Sequence, residues 1–129
     1  MRILLYTHWW IPWGILVVGL IAIIKFARGY MNGSSFTAAD RKLMAGFSGL
    51  IDLQATIGVV ILLLTGFAGI GFPANRILHG ITMITAALVA HLTRRWESAD
   101  DKTRFLNNFY VLLASFALMM IGVTLVSDH

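Results

Sequence analysis

The chain has no cysteine among its 129 residues. Disulfides, thiol catalysis, cysteine-held zinc, iron–sulfur clusters and thioether-attached haem are thereby excluded, so any metal chemistry has to use histidine. Charge is almost as scarce. Charged residues make up 12% of the chain and hydrophobic ones 58%, against roughly 25% charged in a soluble domain. Such a composition belongs to an integral membrane protein of one compact unit. The formal charge of +4 does not point to nucleic acid, because the basic residues sit in short segments between apolar runs, where they report membrane orientation.

The gaps in charge also count the spans. Residues 3–24, 77–93 and 105–127 carry no Lys, Arg, Asp or Glu, and residues 43–75 carry only Asp52. About 20 residues are needed to cross the hydrocarbon, so the chain is predicted to be a single transmembrane domain of four helices, over about 8–27, 43–67, 77–94 and 105–126. The first run has one basic residue before it, several aromatics and no small-residue cleavage site, and is expected to stay as a helix and not to serve as a signal peptide. Eight of the ten basic residues (Lys25, Arg28, Arg41, Lys42, Arg94, Arg95, Lys102 and Arg104) flank the first and third loops, leaving Arg2 and Arg76 on the other side. The positive-inside rule then puts these loops in the cytoplasm and both termini on the outer side. Tyr6, Trp9, Trp10 and Trp13 resemble an outer aromatic belt, and Phe26 and Tyr30 are expected to anchor the inner end.

Loop chemistry sets the boundaries. Asn32-Gly33-Ser34-Ser35 breaks the first helix, and Thr37-Ala38-Ala39-Asp40 is a Thr-x-x-acid capping pattern that starts the second. Gly66, Gly69, Gly71 and Pro73 end it in a short outer turn. Glu97, Asp100 and Asp101 alternate with basic residues in a solvated connector between the third and fourth helices. Short loops favour an all-α, antiparallel up-and-down bundle. Ala45/Gly49 and Ala86/Ala90 have the small-xxx-small spacing that lets helices approach closely in lipid, and are read as packing positions.

Ionisable side chains are costly in hydrocarbon, so those within the spans are candidates for function. His8 lies 17 residues from Lys25 and His79 15 residues from Arg94, which places both about 23–25 Å from the cytoplasmic edge at helical rise. They share the outer level on the first and third helices, which are diagonal in a simple bundle, so their imidazoles could face each other across the core and hold a haem iron from both sides. Arg76, three residues before His79, would pair with a haem propionate. The alternatives are histidines that are simply hydrated near an interface, or one that ligates the magnesium of a chlorophyll-type pigment. His91, 12 residues after His79, is rotated by about 120° and displaced by roughly 18 Å; it is expected to hydrogen-bond at the interface near Arg94 and Arg95. His129, the last residue, carries little information. Asp52, about 15 Å into the membrane, is expected to be hydrogen-bonded to Thr82, Thr85 or Ser115, or else to join Gln54 and His91 in a proton or quinone site.

Phe36-Thr37-Ala38-Ala39-Asp40-Arg41-Lys42-Leu43, followed by Asp52-Leu53-Gln54 and Gly58, resembles small bacterial four-helix membrane proteins labelled cytochrome b-like. The likeness extends over nearly the whole chain, with His8 matching a histidine that opens the first helix and His79 one that opens the third after a basic residue. It implies a b-type haem, a quinone partner and a place among the membrane subunits of a respiratory or photosynthetic electron-transfer complex in the bacterial inner membrane. Where many such chains have a histidine before the Leu/Ile-Gln of the second helix, this one has Asp52. No soluble redox or substrate domain stands beside the spans, so electron transfer as a partnered subunit, or a non-catalytic accessory role in a larger complex, fits better than stand-alone enzymatic turnover.

Overall fold

The computed structural model describes residues 1–127; His129 lies outside them. Four helices follow in chain order: α1 Arg2–Asn32, α2 Ala38–Thr65, α3 Ala74–Ala90 and α4 Asp101–Ser127. There is no strand among the described residues. All four helices, α3 together with the 3₁₀ segment that continues it, are long and apolar enough to cross a membrane. Only 17–22% of the most apolar stretch of each is buried within the protein, so most of the apolar surface faces outward, the reverse of a soluble domain.

Local chemistry accounts for the ends. α1 stops at Gly33, which adopts the left-handed conformation (φ 63°) that glycine takes without a Cβ penalty. α2 starts where the capping pattern predicts. Asp40 Oδ2 accepts from the Thr37 backbone N–H at 2.9 Å and from its hydroxyl at 3.1 Å, while Oδ1 pairs with Lys25 Nζ on α1 at 2.7 Å. The cap therefore also ties two helices together. At the other end α2 loosens into a π-helical turn, Gly66–Ile70, closed by the Gly71 N–H on the Gly66 carbonyl at 3.1 Å. Gly69 (φ 122°) and Gly71 (φ 77°) take the positive φ values needed to reverse the chain into Pro73, the N-cap of α3. α3 itself tightens into a 3₁₀ segment, His91–Trp96, before the connector to α4.

Each helix packs on the next and α4 closes on α1, which places α1 diagonal to α3. The core is concentrated toward the end that carries the α1–α2 and α3–α4 connectors, the end that the charge pattern marks as inner. Phe26, Phe36 and Phe105 form a ring triad with centroids 5.1–5.9 Å apart, and Phe47 meets Phe116 at 5.6 Å. Gly19 and Gly29 make room for this packing, since a Cβ at either would collide with the rings of Phe116 and Phe105 on α4.

Two packing expectations change and one holds. Phe26 is fully buried and belongs to the core, where Phe105 and Phe36 reach it, and not to an interfacial belt. Ala86 and Ala90 are buried as close-approach positions should be, but Ala45 and Gly49 are exposed; spacing identifies a stripe on a helix, not which side of the helix meets a neighbour. Trp9, Trp10 and Trp13 are 66%, 64% and 55% exposed, the outward placement that a belt requires.

Candidate functional site

His8 owes its position to a residue four places further on. Pro12 lies inside α1 and has no N–H, so the carbonyl of His8, its i−4 partner, is left without an intrahelical donor. Gln54 on α2 fills the gap, with Nε2 donating to the His8 carbonyl at 2.8 Å. Gly58, one turn beyond Gln54 on the same face of α2, then receives the imidazole. A Cβ there would stand 3.0 Å from His8 Cε1. Bonds of this kind are how membrane helices tolerate proline, since a neighbouring helix takes up the freed group.

His79 is fixed from the opposite side. Its Nδ1 lies 2.6 Å from the carbonyl of Gly122 on α4, and a carbonyl only accepts, so Nδ1 carries the hydrogen and Nε2 is the nitrogen left for another partner. Gly122 is also a point of close approach, where a Cβ would fall 2.7 Å from Met83 Cε. His8 and His79, on the two diagonal helices, lie near enough to interact electrostatically, consistent with the shared level that the residue count predicts. Within this site His8 Nδ1 and Gln54 Oε1 are buried without hydrogen-bond partners. Arg76, partly buried in the first turn of α3, has no ion-pair partner among the described residues.

The second cluster differs from expectation. Asp52 does not reach Thr82, Thr85 or Ser115; its Oδ2 lies 2.7 Å from His91 Nε2. Thr82 and Thr85 instead bond the Leu78 and Ile81 carbonyls of their own helix, each at 2.8 Å, the local option always open to a helical hydroxyl. Ser115 Oγ is buried without a partner. His91 thus faces Asp52, its side chain 34% and that of Asp52 45% exposed. The grouping of Asp52, Gln54 and His91 divides in two. Residues two apart on a helix point to opposite sides, so Gln54 joins His8 while Asp52 joins His91.

Sequence reasoning does not single out Pro12 or Gly122, and it reaches Gly58 only through the resemblance. The signal for Pro12 was present, because a proline four residues after a histidine marks that histidine's carbonyl as free. Gly58 stands one turn after Gln54 in the same way. Gly122 had no such signal, since its role depends on how α4 is rotated against α3.

No group of three or more His, Cys, Asp or Glu side chains able to hold a metal ion occurs among the described residues. Imidazoles from two diagonal helices would suit an iron whose other four ligands come from a tetrapyrrole. The His79 Nδ1–H bond to a backbone carbonyl is also the usual second hydrogen bond of a metal-ligating histidine, fixing ring and tautomer. No protein-family model matches the chain, and no curated protein or solved structure is significantly similar to it.

Proposed function

We propose that this is a multi-pass protein of the bacterial inner membrane, with both termini outside, that carries electrons through a b-type haem held by His8 and His79. The observation that carries the reading is the paired placement of two histidines from diagonal helices, His79 with its Nδ1–H committed to Gly122 and His8 held by Gln54 through its backbone. When bound, the haem supplies one-electron ferrous/ferric chemistry. The chain's own residues prepare for it. Gln54 fixes α1 without using the His8 ring, the Gly122 carbonyl directs the other ring, and Arg76 stands one turn from His79 as a cation for a propionate.

A partnered role in an electron-transfer complex, with quinone as the redox partner class, is supported by the Asp52–His91 pair. Its side chains are 45% and 34% exposed on helices of membrane-spanning character, and an ionisable pair facing hydrocarbon is costly. Covering by another membrane subunit removes that cost.

A reduced-minus-oxidised absorbance spectrum of the purified protein tests the reading. The expected result is Soret and alpha bands that disappear in both His8→Ala and His79→Ala but persist in His91→Ala. Absence of bands in folded wild-type protein supplied with haem overturns it, and a chlorophyll-type spectrum would replace haem with a pigment.

A further inference from the structure

A cleft of about 280 Å³ opens at the inner end of the protein, between the start of α2, the 3₁₀ segment and the start of α4. It is small beside the roughly 300–1,000 Å³ of pockets that take drug-sized ligands, so it suits a headgroup and not a haem. Its charge is one-sided. Arg41, Arg94 and Arg104 line it with a single carboxylate, Glu97. Its remaining titratable side chain, His91, is engaged with Asp52 at 2.7 Å. Arg41 and Arg94 form no ion pair among the described residues. Arg104 is held in place: its side chain is 15% exposed, its guanidinium carbon lies 4.2 Å from the centre of the Phe36 ring, and its one carboxylate neighbour, Asp101, is 4.0 Å away.

A buried polar side chain points the same way. Asn108 is 1% exposed and lines the cleft, with its Oδ1 accepting from Trp96 Nε1 at 2.9 Å. An indole N–H only donates, so it must face the amide oxygen, and the Asn108 NH₂ is left as the donor for a ligand. Guanidinium groups and an amide donor around a small space form a receptor for phosphate oxygens, which Arg engages through paired hydrogen bonds.

We infer that this cleft is a binding site for a phosphate-bearing anion, and that its natural occupant is the phosphodiester of an anionic phospholipid in the inner leaflet. Eight of the ten basic residues lie at this end, and basic pockets between membrane helices at the cytoplasmic side bind such headgroups. The site is independent of haem at His8 and His79.

The test uses the full-length protein in a neutral detergent, titrated with phosphatidylglycerol or phosphatidylcholine and read by native mass spectrometry. One phosphatidylglycerol per chain is expected, bound about tenfold more tightly than phosphatidylcholine. Arg41→Gln with Arg94→Gln should weaken it by about tenfold or more, and Glu97→Gln should tighten it by several-fold, a gain that misfolding cannot mimic. Millimolar inorganic phosphate distinguishes the source. Failure to displace the lipid assigns the site to a headgroup, while displacement with unchanged charge dependence supports a phosphate site open to the free anion. Equal binding of both lipids, or binding unmoved by all of these substitutions, overturns the proposal.

Discussion

The inner part of the bundle closes on rings, with Phe26, Phe36 and Phe105 in mutual contact and the Lys25–Asp40 pair bracing α1 against α2. Toward the outer end the buried apolar residues thin out to Ile15 and Ile61, and polar groups take their place: His8, Gln54 and His79, with two of their atoms unpartnered. The difference separates two tasks. Aromatic packing needs nothing further to complete it. A level where helices are joined through a carbonyl, an amide and two imidazoles has spare donor and acceptor capacity for something else to use.

Substitutions at each level should make this contrast measurable. The largest effect is expected at the aromatic end: Phe105→Ala removes a ring that fills the space over Gly29 and should cost about 3–5 kcal/mol of stability, read as a lowered unfolding midpoint in detergent while His8 and His79 keep their ligand-binding properties. At the outer level Gln54→Leu strands the His8 carbonyl and should cost about 1–3 kcal/mol. Pro12→Ala in the same chain restores an N–H to that carbonyl and should recover most of the loss, so the two changes are coupled. Additive losses in the double variant would show that Gln54 does not serve the proline-freed carbonyl. The smallest effect belongs to Asp52→Asn. It keeps the shape and an acceptor for His91 but replaces the carboxyl with an amide, and should cost about 0.5–1.5 kcal/mol in unfolding measurements, with no change at the outer histidines.

Much of this architecture was readable from the chain because it depends on local chemistry. Gaps in charge marked four apolar helices, the Thr37–Asp40 cap located the start of α2, and glycines with Pro73 located the outer turn. The shared level of His8 and His79 followed from counting residues at constant rise. What counting could not give was rotation. Ala45 and Gly49 have the same spacing as Ala86 and Ala90 yet face outward, because the bundle presents the Phe47–Ile51 side of α2 to the core. For Asp52, counting offers the hydroxyls first and a site with Gln54 and His91 second, since depth does not say that His91, at the turn from α3 into the 3₁₀ segment, lies nearest. The basic cleft was equally hidden, as Arg41, Arg94 and Arg104 are brought together only when the starts of α2 and α4 meet the end of α3.

The outer level is thus a receptor completed by a haem between its helices, while the aromatic core packs without that ligand. Hydrogen exchange read by mass spectrometry, with and without one equivalent of haem, tests this directly. The account predicts slower exchange on haem addition in residues 2–14, 54–65 and 74–84, with residues 22–32 and 101–112 unchanged. Protection confined to the inner segments, or no protection anywhere with the protein folded, would contradict it.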